Sequence, residues 1–293
     1  MASQTKRMHT VPEGYLRAFA DRSARYQTPH VWRFERTAPE ARLLGIRDIS
    51  VSRNIYMLWP ENAQPSTFIE KELLADTIES GFPELVASLN SDKWPSGWGW
   101  RRLSRFMAFQ LVRTERAFQF LRDAGAAQDM EIDRNAPQLA MAYIAPKIEN
   151  WICQLSWLVL RNNTEFPILT SDNPVTTWAD IGDGFEVGVG FRDPGLRLLF
   201  PLSPKICIAC IQTPASLKAI SADTAESDGS FCNEYELSVG AGTLTFNALL
   251  KHNQVTLANA EHYAYSDHKS ENLQLFMADW FVGRSGPVRR DDR

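Results

Sequence analysis

Four cysteines in 293 residues are too few for a disulfide framework. No apolar run is long enough for a bilayer: Ile148–Leu160, the most apolar helical stretch, is short and interrupted by Glu149, Asn150 and Gln154. Met1–His9 contains no apolar segment fit for a secretory leader. These absences lead us to expect a cytoplasmic protein with no membrane partner. Charge of one sign is also missing, since the formal net charge is only -4, which excludes a basic coat for duplex DNA. Residues 1–125 carry 18 Lys+Arg against 14 Asp+Glu, so residues 126–293 carry -8. That imbalance permits an anion-binding surface in the first half. No His-Glu-x-x-His box, Gly-x-Ser-x-Gly elbow or Gly-Lys-Ser/Thr phosphate loop occurs. No metal is therefore expected, and the residues name no cofactor.

What is there begins with Phe166–Val175, an apolar run ending in Ser171-Asp172-Asn173-Pro174. It reads as a buried strand delivering polar side chains into a rigid turn, because Asn and Asp bond their own backbone and Pro174 disfavours helix before it. Ser-Asp-Asn is one motif of the penicillin-recognising serine enzymes. The Ser-x-x-Lys matches fall on the amino terminus or after the motif, and Lys-Thr-Gly is missing, so that chemistry is excluded.

Periodicity sets the fold expectation: α+β, with a helical amino-terminal half against a mainly antiparallel sheet from the carboxy-terminal half. One domain is expected, with a helical part about 1–125, a linker about 125–137, a mixed part about 138–282 and a disordered tail about 286–293. Thr10 and Glu13 have capping-box spacing and predict a helix start. His30–Arg36 alternates as a strand. Arg47–Tyr56 reads as a short helix ending near Asn54. Thr67–Glu79 and Pro83–Asn90 are helical, with Glu72, Asp76 and Glu79 on one face of the first. Trp94, Trp98 and Trp100 lie in a Gly/Pro-punctuated loop, as a stacking platform or as plugs on the core. Arg101–Arg122 reads as one long buried helix and Gln138–Arg161 as another. Asp183-Gly184 marks a hairpin turn. Leu196–Leu202 and Ile206–Ile211 are strands, and on the second Cys207 and Cys210 point to opposite faces as plain core residues. Leu244–His252 is a helix, Asn259–Ser266 a strand and Glu271–Phe281 a closing helix.

Arg113, inside the apolar stripe of its helix, needs a carboxylate or an anionic ligand because it cannot shed its charge. Its helix carries Gln110 as well. His9-Thr-Val-Pro-Glu-Gly-Tyr15, Ile69-Glu-Lys71 with Ile78-Glu79-Ser80, Gln110-Leu-Val-Arg113-Thr114, Thr170-Ser-Asp-Asn-Pro174, Phe200-Pro-Leu-Ser-Pro204 and Ala264-Tyr-Ser266 together resemble a largely bacterial family, domain-of-unknown-function family 4238. The resemblance runs from about His9 to Ser266. It departs at Met8-His9-Thr10-Val11-Pro12, where the family starts His-His-Val-Pro. The family implies no activity, so the functional expectation rests on the residues. His9 as acid or base, Arg113 as anion ligand and Asp172 as orienting group form the catalytic set, with Tyr15, Gln110, Ser171 and Asn173 as substrate contacts. That set suits a hydrolase or transferase acting on a phosphorylated substrate such as a nucleotide or nucleic acid. The expected partner is a small anionic or phosphorylated ligand; nucleic acid is left open but is not indicated by the net charge. The alternative is a non-enzymatic ligand- or partner-binding module with Arg113 in a structural ion pair.

Overall fold

The computed structural model describes residues 6–23, 26–37, 40–126, 133–182, 184–216 and 239–282. In chain order the strands are β1 (Arg7–His9), β2 (His30–Glu35), β3 (Arg42–Gly45), β4 (Val51–Arg53), β5 (Ser156–Arg161), β6 (Thr170–Ser171), β7 (Thr176–Asp180), β8 (Phe185–Val187), β9 (Arg197–Ser203), β10 (Ile206–Ile211), β11 (Val239–Thr243) and β12 (Tyr263–Ser266). The α-helices are α1 (Glu13–Leu16), α2 (Phe82–Asn90), α3 (Gly97–Val112), α4 (Glu115–Ala126), α5 (Ala136–Cys153), α6 (Phe246–Asn259) and α7 (Glu271–Val282), with a π-helix over Ile69–Glu79.

Alternating apolar residues build a six-stranded sheet in the order β11-β5-β10-β9-β7-β8, antiparallel except where β11 runs parallel to β5. A four-stranded antiparallel sheet, β3-β2-β12-β6, joins both halves of the chain, and β1 pairs with β4. The architecture is α+β. Strands β1 to β4 intersperse the helical half more than periodicity indicates. The main core draws on both halves: Phe82 stacks on Phe106 at 3.8 Å, and Tyr15 on Phe200 at 5.3 Å. Cys207 and Cys210 fall in different clusters, so β10 turns the two sulfurs to opposite faces as expected. Cys232, Asp183 and the tail lie outside the described residues. No helix among the described residues is long and apolar enough to cross a membrane.

Several boundaries differ from those the sequence suggests. Thr10 does not cap a helix: its hydroxyl donates to Ser50 O, and α1 starts at Glu13 after Pro12 without a side-chain cap. His9 ends a strand. In place of a helix ending near Asn54, a 3-10 turn at Ile46–Asp48 leads into β4. The long helix over Arg101–Arg122 is two helices, α3 and α4, parted at Arg113–Thr114. That over Gln138–Arg161 is α5 followed by β5, with Pro146 accommodated inside α5. Trp100 is buried edge-on against Trp157, while Trp98 is 63% exposed, so only one of the three indoles serves as a plug.

Candidate functional site

Arg113 is 2% exposed, and each of its three side-chain nitrogens donates to the protein. Nη1 donates to Glu79 Oε1 at 2.7 Å, Nη2 to His9 O at 2.8 Å and Nε to the Tyr56 hydroxyl at 3.3 Å. Burial alone would lower its pKa, but the Tyr56 and Glu79 oxygens raise it, so the guanidinium stays charged. The Tyr56 hydroxyl in turn donates to Arg113 O at 2.7 Å. One turn earlier, Gln110 Nε2 donates to Thr10 O at 3.0 Å. Gln110 and Arg113 thus grip two consecutive carbonyls, of His9 at the end of β1 and of Thr10 just after it, and Glu79 supplies the counter-charge from the end of the π-helix. The ion pair expected under the binding-module alternative exists, with Glu79 as its partner. His9 sits at the rim of this cluster, its Nε2 3.8 Å from Glu13 and without a hydrogen-bond partner among the described residues. Burial depresses its pKa against the pull of Glu13.

Asp172 also turns inward. Its carboxylate accepts from the backbone N–H groups of Glu261 at 2.9 Å, His262 at 2.7 Å and Tyr263 at 3.0 Å. Burial raises its pKa, and those three bonds oppose the shift. Ser171 Oγ accepts from Asn173 N at 3.1 Å, closing the turn. Tyr15 is fully buried; its hydroxyl donates to Pro201 O at 2.8 Å and, its one proton spent there, accepts from Thr170 Oγ1 at 2.6 Å. Arg113 and Asp172 share no hydrogen bond or ion pair, so the structure does not bring these two catalytic candidates together.

The open space lies beside them. A groove of about 550 Å³ runs between the α3–α4 corner and the Asn173 turn. Its apolar walls include Val112, Ala117, Leu121, Met141, Ile144 and Val175. Its polar lining includes Gln110, Asn173 and Asn259, with the charged Arg116, Asp123 and Glu261 and the neutral Thr114, Gln119 and Thr177 around them. Asn173 and Asn259, 7% and 8% exposed, hold each other by backbone: Asn173 Nδ2 donates to Asn259 O at 3.2 Å, and Asn259 Nδ2 to Asn173 O at 3.0 Å and Val175 O at 3.2 Å. Neither Oδ1 accepts a hydrogen bond from a described residue, and Gln110 Oε1 is likewise unpartnered. A smaller cavity of about 200 Å³, lined by Thr114, Asp172 and Asn173, adjoins it.

Of the expected site residues, Gln110 and Asn173 therefore line the groove and Asp172 the adjoining cavity. His9, Tyr15, Arg113 and Ser171 line neither. Asn259 is missing from the expected set because the sequence suggests a strand beginning there, whereas the residue closes the longer helix α6, Phe246–Asn259. Among the described residues no group of three or more His, Cys, Asp or Glu could hold a metal ion.

Neither the curated proteins nor the solved structures contain a match to this chain. A family profile, however, matches residues 7–270, covering every motif that folds into the Arg113 and Asp172 clusters, and by that match the chain belongs to the DUF4238 family, described as a protein of unknown function.

Proposed function

We propose that the protein is a ligand-binding module whose groove between the α3–α4 corner and the Asn173 turn takes a flat, neutral group bearing N–H donors. The supporting observation is the pair of amide oxygens, Asn173 Oδ1 and Asn259 Oδ1, left without protein donors on a groove whose lining is largely apolar. Apolar walls with a few fixed polar groups are the usual make-up of a small-molecule site. An acceptor that opens onto the groove without a protein donor is free to take one from a ligand. The two amides are held by reciprocal backbone bonds, so they present their oxygens without reorganising. The hydrolase or transferase reading needs a free Arg113 and a His9 near substrate. Arg113 is committed to Glu79, His9 O and Tyr56, and His9 does not line the groove, so binding is the better-supported reading. The cytoplasm is the setting we propose for it.

The test is a thermal-shift and two-dimensional NMR screen with adenine, guanine, indole and nicotinamide against the native protein and Ala117→Trp, which fills the groove. At least one heterocycle should stabilise the native protein, move the Asn173 and Asn259 side-chain amide signals, and leave Ala117→Trp unaffected. A panel without effect on those signals would sink the reading.

A further inference from the structure

Gln119 and Glu261, on the groove's lining, also line a third cavity of about 590 Å³. Three guanidinium-bearing residues from three separate elements meet there: Arg53 at the end of β4, Arg122 on α4 and Arg134 just before α5. Arg53 and Arg122 form no side-chain ion pair with any described residue, and Arg134 lies over the Trp59 ring at 4.2 Å. The facing carboxylates are Glu115 and Glu261, so the lining carries a formal surplus of positive charge. Gln138, 4% exposed, closes the cavity; it spends Nε2 on Ile55 O at 2.7 Å and keeps an unpartnered Oε1. Guanidinium forks match phosphate oxygens in geometry and charge, and a single carboxylate would occupy only one of the three. The unpartnered Gln138 oxygen calls for a hydroxyl or N–H donor beside the anion.

We infer that this arginine-lined cavity binds the phosphate end of the same ligand whose flat heterocycle occupies the groove, so that the ligand class is a nucleoside phosphate. The heterocycle half rests on the proposed groove function; the phosphate half rests on Arg53, Arg122 and Arg134 alone.

Calorimetric titrations with three probes separate the halves: inorganic pyrophosphate for the arginine cavity, adenine for the groove, and ADP for both. Pyrophosphate should bind the native protein, weaken about tenfold in Arg122→Ala and again in Arg53→Ala, and weaken with added salt. Both side chains are exposed, so these variants keep the fold. ADP should bind more tightly than either fragment and be weakened by Arg122→Ala and by Ala117→Trp, with Thr177→Trp as a second block of the groove. Pyrophosphate that does not bind, or binds the double arginine variant equally well, overturns the phosphate site. Malonate binding as tightly as pyrophosphate overturns the choice of phosphate over carboxylate. ADP that binds no tighter than pyrophosphate and ignores both groove blocks overturns the nucleoside assignment while leaving the anion site standing, and adenine binding alone then reports on the groove.

Discussion

Removing the Arg113 guanidinium would strand the half-buried Glu79 carboxylate and the His9 carbonyl without their donor. Breaking one side of such a pair costs more than the pair itself contributes, because the remaining charge is left uncompensated. Arg113→Met should therefore destabilise the protein by roughly 3–5 kcal/mol in urea unfolding. The double variant Arg113→Met with Glu79→Leu should recover a large part of that loss. Additive losses would show that the ion pair is not the reason for the buried cation. His252 gives a residue-level pH dependence. Burial first, then Lys251 and Arg197, lowers its pKa from 6.5 to about 4, so the folded protein holds it neutral where the unfolded chain is protonated. Its contribution is fully present above pH 6.5 and is lost as pH falls to about 4. The loss amounts to up to about 3 kcal/mol. His9, depressed by burial, acts with the same sign. Unfolding free energies across that window should fall less steeply in His252→Gln than in the native protein; parallel curves would remove His252 from the account.

Between α3 and α4 the chain carries neither glycine nor proline, so the break at Arg113–Thr114 has no breaker residue and only the Thr114 cap as a local signature. A tertiary bond and a local cap impose it together: Arg113 O accepts from the Tyr56 hydroxyl, and Thr114 Oγ1 accepts from Ala117 N at 3.2 Å to begin a new helix. The α5–β5 boundary is hidden for another reason. Apolar residues continue from Ile148 through Val159, and periodicity over so short a run does not separate a buried helix end from a buried strand. The strands β9 and β10 were legible because they are short apolar runs bounded by turn residues, and the Ser-Asp-Asn turn because its residues have strong local preferences. That these polar groups face inward was not legible. A buried arginine or aspartate asks for a partner, and sequence alone does not say whether protein or ligand provides it. The Asp172 clamp tests this at the scale of an element. Asp172→Ala removes the acceptor for three N–H groups at the start of β12, a loss of about 2–4 kcal/mol. Hydrogen exchange should rise specifically at Glu261, His262 and Tyr263, with β9–β10 amides much less affected. Unchanged protection at those three amides would refute the clamp.

At the scale of the whole molecule, one phenol bonds to both larger sheets. Tyr15 on α1 donates to Pro201 O in β9 of the six-stranded sheet and accepts from Thr170 in β6 of the four-stranded sheet. Pro201 occupies an internal strand, where proline is normally excluded because it cannot donate to the ladder. The register shift between β9 and β10, which passes from Ser203 to Pro201 opposite Ile206 and Cys207, accommodates it. The Tyr15, Thr170 and Pro201 motifs, distant in sequence, are thus one joint. Tyr15→Phe keeps the ring against Phe200 and opens no large cavity, but leaves the Pro201 carbonyl and Thr170 hydroxyl unpaired in a dry interior. The expected cost is about 1–3 kcal/mol, seen as a lower urea midpoint with an unchanged m-value. Thr170→Val added to Tyr15→Phe should cost less than the two single losses combined, because the second change removes a group already unpaired. Burial holds the Tyr15 phenol well above its ordinary pKa, so it stays a donor through the neutral range and the midpoint difference should not vary with pH there. Equal midpoints for Tyr15→Phe and the native protein would mean that ring packing alone joins the sheets.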